Sequence, residues 1–101
     1  MNNSGMLKQL LQMRKQLKKT QNELEKEIIT GSSKDACVQI MLTGAQKFHR
    51  VILDEDKVKP LNNSQLEKHI GDALQDALSK SRSLMAEKLG PLGGGMTGMK
   101  F

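Results

Sequence analysis

Aromatic side chains are almost missing from this chain: Phe48 and Phe101 are the only two, and there is no tryptophan or tyrosine. That shortage argues against modules that hold single strands or RNA loops by stacking bases on aromatic rings. Cysteine is down to one residue, Cys37, so no internal disulfide can form and a reducing compartment fits. No apolar run exceeds three residues, and the opening Met-Asn-Asn-Ser-Gly carries no apolar segment. Nothing here directs the chain into a membrane, and a cytoplasmic location is expected. Histidine is scarce as well: His49 and His69 sit in no HExxH, CxxC or mixed cluster with ligand spacing. Asp54, Glu55 and Asp56 lack the spaced oxygens and turning glycine of a calcium loop, so an exposed turn is expected there. "GPLGGG" lacks the Lys-Ser/Thr and following helix of a phosphate loop. With no nucleophile, base and orienting group in a recognisable set, neither catalysis nor a cofactor, metal or small-molecule substrate is expected.

What the chain does have is an uneven distribution of charge. Residues 1–22 hold five bases (Lys8, Arg14, Lys15, Lys18, Lys19) and no acid, while the other 79 residues hold eleven of each, so the whole net charge of +5 sits at one end. A helix prefers acids at its N-terminus and bases at its C-terminus, by about 0.3 to 1 kcal/mol. This arrangement does the reverse, and an anionic partner outside the helix would explain it.

Met6, Leu10, Met13, Leu17, Thr20 and Leu24 recur at steps of four and three, the spacing of a coiled-coil-like seam along a helix over residues 4–27. Lys8, Lys15, Lys19 and Lys26 fall almost opposite that seam, with Arg14 and Lys18 on its flank. A short strand follows at 28–30, then the turn chemistry of "GSSKD". "ACVQIMLT" and "KFHRVILD" alternate with a period of two and predict further strands, joined through short connections into an antiparallel meander. "EDKVKPLNN" reads as a polar loop. Ser64 with Glu67 forms a capping box for a second helix whose apolar face is Leu66, Ile70, Ala73, Leu74, Ala77, Leu78, Leu84 and Met85. Gly90-Pro91 ends it through a left-handed cap, and the glycine-rich "GPLGGGMTGMKF" predicts a disordered, dispensable tail. The expected organisation is a single α+β domain over 1–89 and a flexible tail over 90–101.

A helix of about 24 residues is about 36 Å long, whereas strands of about seven residues span about 23 Å. Part of the seam must therefore overhang the sheet. Each large apolar side chain left in water forfeits roughly 1.5 to 3 kcal/mol, and a second copy would cover them. A homodimer is expected, with Met6, Leu10, Met13, Leu17 and Leu24 as its core and interface seam, so that aspartate at Leu10 and Leu17 abolishes folding or dimerisation. The basic face suits duplex phosphates, and Gln9, Gln12, Gln16 and Arg14 are of the types that read base edges in the major groove.

Several stretches, in order, resemble the YbaB/EbfC family of bacterial nucleoid-associated proteins. They are "MLKQLLQMRKQLKKTQNELEKE", the Thr30-Gly31 turn, "VQIMLTG", "HRVILD", "LQDALSKS" and "LGPLGGGMTGMKF", covering nearly the whole chain. Two turns depart from the family pattern: "GSSKDA" replaces a glycine-rich connection, and "TGAQ" an Asn-Gly hairpin turn. The resemblance implies a homodimer whose protruding helices bind double-stranded DNA and alter its conformation, with roles in nucleoid organisation and gene regulation. It implies DNA contacts at Lys8, Arg14, Lys15, Lys18 and Lys19 of the first helix and at Lys80 and Arg82 of the second. The residues alone leave two other readings open. One is a non-catalytic adaptor whose protein partner covers the seam; the other is a membrane-surface module using the amphipathic basic helix.

Overall fold

A computed structural model describes residues 4–90 of the chain. The expected tail lies outside the described residues except for Gly90. In chain order the elements are helix α1 (Ser4–Lys26), strands β1 (Ile28–Ser32), β2 (Val38–Thr43) and β3 (Phe48–Leu53), a one-turn helix α2 (Glu55–Val58) and helix α3 (Asn63–Leu89). The strands form one antiparallel sheet in the order β1-β2-β3, giving the α+β architecture that the alternating patterns predict.

Alternation along β2 decides where the core lies. Val38, Ile40 and Leu42 are buried on one face of the sheet, and α3 lies across them with Ala73 and Ala77 inward. Small residues let the helix come close: a Cβ at Gly31 of β1 would overlap the backbone of Ala73 and Ala77. Helix α3 covers β1 and β2 but not β3, all six residues of which are exposed. Helix α1 joins this body only at its C-terminal end, where Thr20 and Leu24 are buried. There the backbone of Leu24 and the Leu84 side chain crowd against Gly44 in the β2–β3 turn, each 2.9 Å from where a Cβ would stand.

Several boundaries differ from the sequence reading. Gly31 and Ser32 extend β1 rather than opening a loop. The chain then turns through Asp35 and Ala36, both at positive φ (58° and 56°). The predicted polar loop contains α2, whose first turn is made of Glu55 and Asp56; the Asp54 side chain caps it by accepting from the Lys57 N–H at 3.1 Å. The acidic run is thus a helix start, where negative charge meets the positive dipole end. The capping box of α3 is built by Asn62 and Gln65, two residues before the predicted Ser64 and Glu67, with reciprocal bonds of 2.8 and 2.9 Å. Gly90 stays right-handed (φ −52°, ψ −48°), so the expected left-handed cap does not form. Ile70 and Leu74 remain exposed, and Ser81 takes a buried place beside Ala77.

The two outer edges of the sheet are treated differently. Along β1, the Ser32 N–H donates to Asp76 Oδ2 at 2.9 Å, and Lys80 Nζ donates to the Thr30 carbonyl at 3.1 Å while pairing with Asp76 at 3.1 Å. The Ser32 amide, followed by the Lys80 ammonium, holds the Asp76 carboxyl below the usual carboxylate range. A carboxylate with a depressed folded-state pKa adds stability above its unfolded pKa of about 3.9 and loses it as pH falls through the folded value. Asp76→Asn is therefore expected to unfold at a lower temperature than the parent at pH 7, with the gap closing as pH falls below about 4. Parallel melting curves across pH check this; a gap independent of pH would remove the ionised carboxylate from the account.

Candidate nucleic-acid interface

From Ser4 to Lys19 every residue of α1 is exposed, a projecting stretch of 16 residues, or about 24 Å at 1.5 Å per residue. The whole molecule measures 72 × 28 × 16 Å, and this arm accounts for part of its length. The seam residues divide accordingly. Leu24 belongs to the core, whereas Met6, Leu10, Met13 and Leu17 are exposed, Leu10 to 57% and Leu17 to 37%. Folding of the single chain does not bury Leu10 or Leu17, so the structure gives no reason for their replacement by aspartate to unfold it.

The helical repeat, about 100° per residue, places the basic side chains. Lys8, Lys15, Lys19 and Lys26 lie within about 40° of one another, Lys18 about 60° to one side of Lys15, and the seam about 180° away. Lys15, Lys18 and Lys19 line one shallow trough together with Asn22, Glu23 and Lys26. None of Lys8, Arg14, Lys15, Lys18 and Lys19 has an ion-pair partner among the described residues. Salt bridges at the other end of the helix instead tie acids to the body: Glu25 to Lys47 and Glu27 to Lys88, both at 3.8 Å. Exposed pairs of this kind add little stability. Their effect is on charge, because they neutralise the base of the arm and leave its outer part positive.

Arg14 and the glutamines do not share a flank. Gln9, Gln12 and Gln16 lie on one side of the lysine stripe and Arg14 on the other, about 100° from Lys15. Lys80 and Arg82 also separate from each other. Lys80 is engaged by Asp76 and Thr30 at the edge of β1, whereas Arg82 is exposed on the side of α3 away from Ala73. Asn22, which shares the trough, is the addition the structure makes; Lys26, already beside Lys15 by the helical repeat, joins the same trough.

No His, Cys, Asp and Glu cluster among the described residues could hold a metal ion. Both histidines have ordinary surroundings: His49 is exposed on β3, and His69 Nδ1 lies 2.9 Å from Ser33 Oγ. That hydroxyl also accepts from the Val38 N–H at 3.0 Å, so His69 helps pin the turn before β2 onto α3. No helix of the described residues is long and apolar enough to cross a membrane.

Known proteins carry the same organisation. A nucleoid-associated protein of Dictyoglomus turgidum is 32% identical over 90 residues, spanning 89% of this chain and 86% of that protein. One from Rhodococcus erythropolis is 33% identical over 95 residues, spanning 94% of this chain and 85% of its own. The fold is shared with a crystal structure of an uncharacterized protein from Helicobacter pylori, at a TM-score of 0.74 and 16% identity over 86% of this chain and 91% of that one. The model of the YbaB/EbfC DNA-binding family matches residues 1–96, and with relatives of this similarity along almost its whole length, the chain belongs to that family.

Proposed function

We propose that this protein binds duplex DNA as a homodimer through its projecting basic helices, alters the conformation of the DNA and acts in nucleoid organisation and gene regulation. One observation carries the reading: the outer part of α1 presents Lys8, Lys15, Lys18 and Lys19 with no ion pair among the described residues, on an arm held away from the sheet. Free cations on an exposed helix are suited to phosphates, where each contact releases condensed counterions from the duplex. The relatives' names, nucleoid-associated proteins, favour the same partner and a nucleoid location. A homodimer is supported by the apolar surface that a single chain leaves in water, along the α1 seam and around β3. The scarcity of aromatic side chains favours backbone contact over base stacking.

Binding to several unrelated duplexes at matched salt, with competitor, tests the proposal. Affinity for every duplex is expected, weakening steeply between about 50 and 200 mM salt. Equal affinities indicate a role in compaction, and a spread of tenfold or more indicates base or shape readout. An absence of binding to any duplex at low salt overturns the reading.

A further inference from the structure

The apolar seam of α1 runs along the side of the helix that faces its own body. Thr20 and Leu24 of that seam are buried where α1 meets α3 and β2, and Met6, Leu10, Met13 and Leu17 continue the same line outward along the exposed arm. Two features of the arm set the shape of a partner that fits there. Met6, Gln9, Leu10 and Met13 surround a hollow of about 230 Å³. Their spacing, i, i+3, i+4 and i+7, outlines the hole into which one helix receives a side chain from a facing helix. The flanks of the seam are the second feature. At about 100° per residue, Gln9 and Gln16 lie about 70 to 90° from its middle on one side, and Leu7 and Arg14 the same distance away on the other. Lys8, Lys15, Lys18 and Lys19 lie further round the helix than any of these.

A second arm of the same chain meets these demands, and in one direction only. Two seams laid parallel would bring both bodies to the same end on the inner side, where each body already occupies the space the other needs. Laid antiparallel, the tip of one arm reaches the base of the other. The exposed stretch runs from Ser4 to Lys19, so tip-to-base alignment sets Met6 against Leu17 and Leu10 against Met13 of the other copy. Each exposed seam residue then has an apolar partner. Along the flanks, Gln9 falls near Gln16 and Leu7 near Arg14 of the other copy, so no two like charges meet.

We infer that the arms of two protein molecules pair antiparallel through this seam, and that the pair links molecules bound to separate duplexes. The lysine stripe lies about 180° from the seam, so pairing sends the two stripes to opposite sides of the two-helix unit, each turned toward its own duplex. This rests on the duplex-binding reading and adds a bridging role to it. The contact is small: a strip about 24 Å by about 10 Å falls well under the roughly 800 Å² per partner that a stable interface buries. It is therefore additional to the contact that holds a homodimer, and it forms where binding to DNA concentrates the arms.

A bridging assay on the full chain tests this: one duplex is fixed to beads, a second, labelled duplex is free, and recovery of the label is measured beside affinity for a single duplex. The parent is expected to recover the free duplex. Leu10→Gln/Leu17→Gln changes no charge and keeps good helix formers. Its affinity for a single duplex should stay within about twofold of the parent, since phosphate contacts are untouched. Recovery should fall by at least about tenfold, as it does when the central anchors of an interface are removed. Direction is read by disulfide trapping on DNA under a mild oxidant, in a Cys37→Ala background. Chains carrying Leu10→Cys are expected to cross-link to chains carrying Met13→Cys more than to their own kind. A double variant, folded by circular dichroism, that bridges as well as the parent overturns the inference, and so does preferential like-with-like cross-linking. Loss of single-duplex affinity in that folded variant overturns it too, by placing the seam on the DNA. A parent that binds duplexes without bridging them sinks the inference and leaves duplex binding standing; a parent that binds no duplex overturns both.

Discussion

Gly31→Ala is expected to destabilise the fold more than any other single methyl group added to it. Its Cβ would overlap the Ala77 nitrogen and the Ala73 carbonyl and stand 2.6 Å from Ala77 Cα. All three are backbone atoms of a helix, so no rotamer change can make room, and α3 must lift from β1 or the strand must bend. Overpacking of this kind costs about 1 to 3 kcal/mol, and more where the neighbour cannot move. At about 3 kcal/mol the unfolding midpoint of a domain this size falls by roughly 10 to 20 °C. Gly71→Ala is the matched control: nothing lies within 4 Å of its Cβ, and it sits inside α3. Alanine there removes a helix penalty of about 1 kcal/mol and should raise the midpoint. If Gly31→Ala melts within about 2 °C of the parent, an effect of a few tenths of a kcal/mol, α3 does not rest on β1 as described.

The same contact shows what the sequence makes legible and what it hides. The alternation in β2 is readable because it reports one face of one element, and a buried face must be apolar; the period in α1 reports a face as well, of which only Thr20 and Leu24 are buried in the single chain. Gly31 read as turn chemistry, yet it is a strand residue whose missing side chain admits a helix. Composition cannot distinguish those two uses of glycine. The start of α3 lies two residues before the predicted one because Ser64 and Glu67 satisfy the capping pattern as well as Asn62 and Gln65 do, and it is Asn62 and Gln65 that make the reciprocal bonds. Ile70 and Leu74 fit the apolar period but remain exposed, since periodicity gives a face and not the width of what covers it.

On the site, the projecting arm was legible as an excess of helix length over strand length. Its burial pattern agrees: exposed from Ser4 to Lys19, buried at Thr20 and Leu24. Pairing was not legible. Lys80 looks as basic in the sequence as Lys15, but Asp76, one turn earlier on the same helix, engages it against the edge of β1. The lysines of α1 have no acid one turn away on their own face until Glu23, and the first acids to find partners, Glu25 and Glu27, find them on the body. A charge is available to a partner only if its own fold has not used it.

That distinction governs the largest functional effect expected here. Changing Lys8, Lys15 and Lys19 together to glutamine should weaken binding to any duplex by a similar factor, because phosphate contacts carry no direct sequence information. The fold should survive, since these side chains are exposed opposite the seam and glutamine forms helix about as well as lysine. Each lost phosphate contact flattens the plot of log affinity against log salt by about 0.9, so a dimer losing up to six contacts changes its slope by as much as about 5. Lys80→Gln is the contrast within the same protein: its ammonium is held by Asp76 and Thr30, so its loss should show in the melting curve more than in the salt slope. Arg14→Gln separates positioning from reading. If Arg14 reaches guanine from its flank of the stripe, its loss narrows the gap between preferred and other duplexes by roughly 1 to 3 kcal/mol. If it meets phosphate instead, all duplexes weaken alike and the slope drops by up to about 1.8 for the two copies in a dimer. An unchanged slope in a folded triple variant would mean that the lysine stripe is solvated surface and that DNA is held elsewhere.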